Sequence, residues 1–250
     1  MIDTLTKIYS HAPITEAVIE LRVDPEMSLK EQEKVVQRLK KDYPHSQHLN
    51  AFNVNFNASP TGSGVTVSQQ PQGFRLTSND QADVTIITPL NIATARLAPY
   101  LGWNVFRGRA VAVWSVWKRV TKHRSVVRVG IRFINRIDIP LDDRNQIPIE
   151  DYLTFYPQAP VIGTLPMISY LAQITLPTHN PLWTATLTST VVPSPLLKHM
   201  SLLLDIDVFR TQEIPMKDDD LWTTIDEARD IKNSIFQLCV TPQSERLFNE

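Results

Sequence analysis

Residues 126–139 alternate apolar and polar side chains almost without a break. Successive side chains of a β-strand point to opposite faces, so a period of two over this length predicts a half-buried strand. The apolar side comprises Val127, Val129, Ile131, Phe133, Ile137 and Ile139, and the polar side comprises Arg128, Arg132, Arg136 and Asp138. We therefore expect this central strand to rest on a core through one face and to carry a row of guanidinium groups on the other.

A second strong pattern predicts a helix from Trp103 to about Thr121. Its large side chains recur at intervals of three and four, which places them on one helical face. They are Trp103, Phe106, Ala110, Val113, Trp114, Trp117 and Val120. Buried aromatic rings remove a large apolar area from water, so we expect this helix to pack across the sheet as the main core element. The alternative is that Trp103, Trp114 and Trp117 line a ligand groove or a subunit contact.

The first half otherwise predicts one strand, one helix and a series of short strands. Alternation over residues 16–23 predicts a strand. Ser28 and Glu31 form a capping box, so a helix is expected from there to about Asp42. Its inner face is predicted to carry Leu29, Val36, Leu39 and Tyr43. Residues 50–98 favour a β-meander, because no pattern of helical length separates their short strands.

The second half contains three more alternating segments and a final helix. Strands are predicted over residues 167–176, 182–192 and 200–209, and with the central strand they form a four-stranded antiparallel meander. The threonine-rich face of residues 184–190 is either a solvated face or an edge that pairs with another subunit. Asp218, Asp219 and Asp220 favour a helix start. The inner residues of that helix are expected to be Leu221, Ile225, Ala228, Ile235 and Leu238.

The predicted fold class is α+β, with two antiparallel β-meander lobes that each pack against a long helix. A polar, proline-rich connection follows Pro140 and marks the boundary between them. The N-terminal lobe is then residues 1–140 and ends in the central strand. The C-terminal lobe is residues 141–250 and shares the central sheet through its three strands and helix.

Composition excludes several common classes of protein. The net charge of −1 gives no bulk attraction to nucleic acid or to an anionic membrane. The chain has only seven glycines and no glycine-rich phosphate motif, which argues against a phosphate-binding loop of the kind found in nucleotide-binding proteins. The one cysteine, Cys239, cannot form an internal disulfide and is expected in the core. No apolar run is long enough for a membrane span, so we expect a cytoplasmic protein.

Metal and cofactor patterns are weak. His45 and His48 lack the partners of a metal site, and the three aspartates at 218–220 are better explained as helix-start residues than as magnesium ligands. No known catalytic motif occurs in the sequence. We therefore expect no metal and no cofactor, and we lean towards a protein that is not an enzyme.

Two features of the central strand carry open alternatives. Arg128, Arg132 and Arg136 are expected to pair with Glu16 and Glu20 of a neighbouring strand. The alternative is a nucleic-acid surface, to which Lys118, Arg119, Lys122, His123 and Arg124 would also belong. Asn135 interrupts the apolar face, so its amide needs partners. They are expected in a neighbouring loop, and the alternative is a binding-site contact.

Several short motifs together resemble a sporadically distributed bacterial family of uncharacterised proteins of about this length. They are Pro13-Ile14 with Glu16-Ala17 and Glu20, Pro99-Tyr100 with Gly102-Trp103, Arg132-Phe133-Ile134-Asn135-Arg136-Ile137, and Thr241-Pro242. The resemblance implies no activity, cofactor or catalytic residue. The family's patchy distribution is typical of mobile operons, including defence and toxin–antitoxin cassettes. The meander-plus-helix halves are also similar, in topology alone, to SecB-like chaperones.

Three functional hypotheses follow. The first is a non-catalytic module that binds a protein partner, with a homodimer as one form of it. The second is a SecB-like binder of apolar ligands or unfolded chains, with the tryptophans of the helix at Trp103–Thr121 in its groove. The third is a nucleic-acid binder through Arg128, Arg132 and Arg136, which requires those side chains to be exposed and unpaired.

Overall fold

A computed structural model describes most of the chain. The described residues are 7, 9–59, 62–122, 124–142, 147–158, 160 and 167–249, and for residues 51–70 only the backbone is described. Within these ranges nine strands form one antiparallel sheet and four α-helices accompany it, which confirms the α+β class. The strands are β1 (Ile14–Asp24), β2 (His45–Ser59), β3 (Gly62–Thr77), β4 (Asp83–Ile87), β5 (Asn91–Leu97), β6 (Ser125–Pro140), β7 (Leu171–Pro177), β8 (Thr184–Pro193) and β9 (His199–Arg210). The helices are α1 (Leu29–Leu39), α2 (Trp103–Thr121), α3 (Asp218–Cys239) and α4 (Pro242–Leu247), and a 3₁₀ turn covers Ile149–Asp151.

The order of strands across the sheet is β2-β3-β4-β5-β1-β6-β9-β8-β7. Strands β2 to β5 form the meander expected for the first half. The four-stranded meander expected for the second half is wrong in one connection, because β6 neighbours β9, the last strand, and not β7, the next one. Strands β1 and β6 are neighbours in the sheet, as the predicted pairing of the β6 arginines with Glu16 and Glu20 requires.

The first hairpin is longer than predicted. Two short segments of the sequence form the single strand β3, which pairs with β2 along its whole length. The register shifts between Leu49 and Asn50, opposite Pro71. Proline has no amide to donate to a ladder, so it is tolerated at such a bulge. Residues 60–61, for which the sequence predicts a turn, lie outside the described ranges.

The chain divides into two compact units. The first contains Met1–Ile19, Leu97–Tyr100 and Val127–Glu250, and the second contains Glu20–Arg96 and Leu101–Val126. The predicted boundary was at residue 140. The division instead assigns most of β6, together with the N-terminal segment, to the unit that holds the C-terminal half.

Residues 147–154 of the polar connection after β6 are held in the first unit. Ile149 and Leu153 are buried, and Leu153 forms a β-bridge with Val240 just after α3. The amide of Thr154 donates to the carbonyl of Cys239 at 2.9 Å. Backbone hydrogen bonds therefore join residues 152–154 to the end of α3, and the buried Ile149 and Leu153 accompany them. The prolines around this segment favoured irregular structure and gave no sign of these contacts in the sequence. Residues 161–166, including Pro166, lie outside the described ranges.

In the first unit, the apolar face of β6 behaves as predicted in all but one position. Val129, Ile131, Phe133, Ile137 and Ile139 are buried, whereas Val127 is exposed. Helix α3 packs on β9 and reaches Phe133 of β6. Its predicted inner residues Leu221, Ile225 and Ala228 are buried, but Leu238 is 64% exposed and Ile235 is half-buried. The buried stripe continues instead through Lys232, Phe236 and Cys239.

In the second unit, α1 begins where the capping box predicted. Ser28 accepts from the amide of Glu31, and the Glu31 carboxylate accepts from the Ser28 amide at 2.9 Å. The buried stripe of α1 is rotated from the prediction, because Gln32, Val35 and Leu39 are buried while Leu29 is exposed and Val36 is half-buried. The Gln32 amide donates to the carbonyl of Met27, which holds a polar side chain on the inner face. Helix α1 packs against α2.

Candidate functional site

The arginine row of β6 is paired with carboxylates. Arg132 donates from Nε to Asp205 at 2.9 Å and from Nη2 at 2.5 Å, and Arg128 donates to Asp207 at 3.1 Å. The arginines do pair with carboxylates, but those of Asp205 and Asp207 on β9 take the place that the sequence analysis assigned to Glu16 and Glu20. The hydrogen bond to Asp205 is the main cause that raises the pKa of Arg132, and the negative charge of Glu16 makes a smaller contribution.

The far end of the row is also neutralised. Arg136 pairs with Asp138 of its own strand at 3.2 Å. Asp138 also accepts hydrogen bonds from Ser194 at 3.0 Å and from Ser201. The three arginines thus face three aspartates, and the polar face of β6 and β9 has no excess of positive charge. An exposed, unpaired row was the condition for the nucleic-acid hypothesis, so the geometry does not favour it.

Two of the basic residues at the end of α2 and just after it, Arg119 and Arg124, are likewise engaged in local structure. Arg124 donates to both carboxylate oxygens of Glu31, at 2.9 and 3.1 Å, and to the carbonyl of Pro25 at 2.8 Å. Arg119 donates to the carbonyl of Ser115. His123 lies outside the described ranges.

Asn135 is 1% exposed on the core face of β6. Its Nδ2 donates to the carbonyl of Leu204 at 3.0 Å and, less closely, to that of Phe133 at 3.4 Å. These carbonyls belong to β9 and β6, so the partners lie within the sheet and not in a neighbouring loop. The buried side-chain amide of Asn135 is therefore hydrogen-bonded to the backbone of the sheet.

The three tryptophans of α2 differ in exposure. Trp114 and Trp117 are buried and stack on each other, with ring centroids 4.7 Å apart and planes inclined by 11°. Trp117 Nε1 donates to the sulfur of Met27 at 2.8 Å. Trp103 is half-buried and makes an edge contact with Phe106. Trp114 and Trp117 therefore offer little ring surface to a groove for apolar ligands, whereas Trp103 keeps part of its surface exposed.

Strand β7 forms an edge of the sheet, and its exposure was missed by sequence reasoning. It pairs with β8 on one side, and no other strand of the described residues pairs with its outer side. Leu171 is 73% exposed, and Ile174 and Leu176 are also exposed. Strand β8 pairs on both sides, so the threonine-rich face is not an edge, and that alternative is wrong. Thr186 and Thr188 instead hydrogen-bond to Thr175 and Gln173 of β7.

The sequence of this edge carries no protection against pairing. Residues 167–177 contain no charged side chain, and the single proline of the strand, Pro177, stands at its end. Edge strands of monomeric proteins are usually interrupted by charges, prolines or bulges, because their free backbone groups otherwise pair with another chain. The missing charges were the signal in the sequence. It was overlooked because an alternating apolar pattern does not tell an edge strand from an interior one.

Lys232 of α3 is the second feature that the sequence analysis missed. The residue is 6% exposed, and its Nζ lies 4.1 Å from the ring centroid of Phe133 and 6.0 Å from that of Phe236. Burial, with a smaller contribution from the charge of Arg229, lowers the pKa of Lys232 to about 7. Lys232 lies four residues after Ala228 and four before Phe236, so the helical period places it on the inner face of α3. The sequence analysis counted only apolar residues on that face and therefore left the lysine out.

The described residues show no group of three or more histidine, cysteine, aspartate or glutamate side chains that could hold a metal ion. Cys239 is buried, as expected, and burial raises the pKa of its thiol to about 11. Among the described helices, none has the length and apolarity needed to cross a lipid bilayer.

Comparisons with known proteins add little to this geometry. No protein-family model matches the chain, and no curated protein matches it. Among solved structures, an RNA triphosphatase from S. pombe aligns over 97% of this chain and 82% of its own, with 9% identity and a TM-score of 0.15. The same enzyme in complex with the Spt5 CTD aligns with 10% identity and a TM-score of 0.13 over the same shares of the two chains. Scores this low do not indicate a shared fold, and no function is drawn from them.

Proposed function

We propose that this chain is a non-catalytic module that binds a protein partner, and that the partner adds a strand to the outer edge of β7. The observation that carries the proposal is the state of strand Leu171–Pro177. The strand has no charged side chain, most of its residues are exposed, and among the described strands it pairs only with β8. Main-chain groups on that edge supply hydrogen bonds, and alternate side chains supply specificity, as in other cases of strand addition.

The apolar face of β7 is continuous with the core of the first unit. Ala172, Ile174 and Leu176 share a face with the β8 residues that they oppose, Ser189, Leu187 and Ala185. Those three β8 side chains are buried, whereas Ile174 and Leu176 remain exposed. A further strand beside β7 would cover this apolar margin and extend the sheet. About 25 cal/mol is gained for each Å² of apolar surface that such a partner buries.

The partner that this edge fits best is a second copy of the chain. In an antiparallel pair of β7 strands related by a two-fold axis at Ile174, Gln173 meets Thr175 and Ala172 meets Leu176. The apolar faces of both copies then coincide, and no like charges oppose one another, since the strand carries none. Closed two-fold pairing is the commonest symmetry of soluble oligomers.

The test is the mass of the protein in solution, measured by light scattering over a range of concentrations. We expect a dimer for the unaltered chain and a monomer for Ile174→Lys, because a lysine on the apolar face would be buried without a partner at the junction. Thr223→Lys, on an exposed position of α3, is the matched control and should remain dimeric.

A monomeric unaltered chain would exclude the second copy as partner. The same two variants then decide whether the edge binds another protein. A partner captured from the native host with the unaltered chain and the control, but lost with Ile174→Lys, supports strand addition at β7. Capture that is indifferent to Ile174→Lys, or the absence of any specific partner, overturns the proposal.

A further inference from the structure

The hairpin of β2 and β3 extends well beyond the strand beside it. β2 pairs with β3 over the full length of both strands, whereas β4 pairs with β3 only at Phe74–Thr77. Residues 50–59 and 62–71, which we call the ribbon, therefore pair with each other and with no other strand of the described residues. At about 3.3 Å per residue, the ribbon is roughly 30 Å long.

The packed core ends where the ribbon begins. Phe74 and Leu76 of β3 are buried, and α1 contacts this strand. Pro71 and Gln72, which precede them, are exposed, as is Asn50 opposite Pro71. The burial of the described side chains in this part of the second unit therefore stops at the base of the ribbon.

The ribbon alternates apolar and uncharged polar residues. The apolar positions are Phe52, Val54, Phe56, Ala58, Val65 and Val67, and the polar positions between them are Asn53, Asn55, Asn57, Thr66 and Ser68. The register sets Phe56 opposite Val65, and it sets Asn55 opposite Thr66. Opposed residues of an antiparallel pair share a face, so one face of the ribbon is apolar and the other is polar. Residues 43–74 contain no aspartate, glutamate, lysine or arginine, so neither face carries one of these charges.

An amphipathic hairpin of two strands is marginally stable in water unless a third strand or a helix packs with it. The edges of the ribbon also offer backbone groups that pair with no strand of the described residues. A lipid surface can cover the apolar face but cannot satisfy those backbone groups. An extended polypeptide does both, because its main chain pairs with the edge while alternate side chains extend the apolar face. Since the ribbon has no charge to offer, a charged side chain on that polypeptide would be costly to bury.

We propose that the ribbon binds extended, uncharged segments of unfolded polypeptides, which add a strand along the outer edge of β2. That edge is open over the whole of His45–Ser59, whereas β4 covers part of β3. The ligand is a segment with apolar residues at alternate positions, as in the strands of the ribbon itself. This binding site goes beyond the proposed function and lies at the opposite end of the strand order from β7.

The experiment uses the full chain carrying Ile174→Lys, in which the edge of β7 is charged and does not take the probe. The probe is a fluorescein-labelled peptide of about ten residues in which valine and threonine alternate, and fluorescence anisotropy measures its binding. We expect saturable binding of this peptide. The same peptide with N-methylated amides should bind at least tenfold more weakly, because it cannot donate hydrogen bonds to the edge.

Matched variants of this chain test the two faces of the ribbon. Phe56→Lys should weaken peptide binding at least tenfold, because it places a charge on the apolar face. Asn55→Lys adds the same charge at the neighbouring position on the polar face and should change the affinity less than twofold. A third chain, in which an Asn-Gly turn replaces residues 51–70, should bind no peptide. Urea unfolding should give all three chains the same free energy of unfolding as the Ile174→Lys chain, since the core ends at the base of the ribbon.

The proposal is overturned if the chain without the ribbon still binds the peptide, or if Phe56→Lys and Asn55→Lys weaken binding equally. Peptide binding that is present in the unaltered chain and absent after Ile174→Lys would place the peptide at β7 and overturn it as well. Binding of phosphatidylcholine vesicles in place of the peptide, with loss in Phe56→Lys, would identify a lipid surface as the occupant. An Ile174→Lys chain that is dimeric by light scattering and becomes monomeric with Phe56→Lys would identify a second copy instead.

Discussion

Arg132 and Asp205 lie on neighbouring strands, β6 and β9, and form a forked ion pair with N–O distances of 2.5 to 3.0 Å. Asp205 is nearly buried, while half of the Arg132 side chain remains exposed. Asp205 thus provides the fixed end of the pair, and Arg132 retains contact with water.

This geometry predicts a coupling between the two residues. Asp205→Ala should lower the free energy of unfolding by about 1–2 kcal/mol, since a charge-assisted hydrogen-bonded pair is lost. Arg132→Ala should cost less, about 1 kcal/mol, because the arginine is half exposed. A double-mutant cycle, measured by urea unfolding, should give a coupling energy above 0.5 kcal/mol in magnitude. Simple additivity of the two changes would contradict the pairing.

Asn135 should be more sensitive to a charge than to truncation. Asn135→Ala removes the donor to Leu204 and should destabilise the fold by about 1–3 kcal/mol. Asn135→Asp should cost more at pH 7, on the order of 3–5 kcal/mol, because it buries an unpaired carboxylate beside two carbonyls. The difference between the two variants should shrink as the pH falls towards 4 and the carboxyl becomes protonated. Thermal unfolding of both variants at pH 4 and pH 7 measures this, and a difference that is insensitive to pH would contradict it.

Lys232 should make the fold more stable in alkaline solution. Its pKa is about 7 in the folded protein and 10.5 in a model lysine, so the unfolded chain binds more protons between these values. Stability then rises with pH across this window and is lowest where both states are protonated, below pH 7. The ring of Phe133 favours the charged form and offsets part of this penalty.

Lys232→Met should therefore stabilise the protein at pH 7, by on the order of 2–4 kcal/mol, and should abolish most of the rise between pH 7 and pH 10. The exposed Lys34→Met is the matched control and should change neither quantity. Urea unfolding at several pH values tests this, and a Lys232→Met variant that is less stable than the unaltered chain would show that the amine has a partner in the fold.

Glu31 should contribute stability that is lost in acid. Its hydrogen bond with Arg124 is the main cause that lowers the Glu31 pKa to about 2. A carboxyl with a lowered pKa stabilises the fold above its unfolded value, near 4.5, and loses that contribution as the pH falls towards 2. Since Glu31 is partly exposed, we expect Glu31→Gln to cost about 1 kcal/mol at pH 7 and only a small part of that at pH 2.5. Glu33→Gln, on an exposed position of the same helix, is the control. An equal loss in both variants would exclude the role of Arg124.

Local chemistry made the secondary structure predictable. The capping box at Ser28 and Glu31 fixed the start of α1, and the alternation along β6 identified its buried face from Val129 to Ile139. Periodicity of this kind depends on near neighbours in the chain, so it can be interpreted without knowing the fold. The burial of Phe106, Trp114 and Trp117 on α2 followed for the same reason.

Other features depended on which strands became neighbours. The sequence alone could not show that β9 lies beside β6, and therefore that Asp205 and Asp207 meet the arginines that were expected to meet Glu16 and Glu20. It also could not show that β7 is an edge, since alternation is the same in edge and interior strands. Lys232 is buried because its position in the helical repeat of α3 faces the core, although its side chain is polar.

Side-chain order along this chain thus determined most of its helices and strands, and most of the buried face of β6 and of α2. Pairing across the sheet is set by contacts between residues far apart in sequence, and only the tertiary structure decided it. That pairing neutralised the arginine row, set the uncharged strand β7 at the edge of the described sheet, and brought the amine of Lys232 on α3 against Phe133.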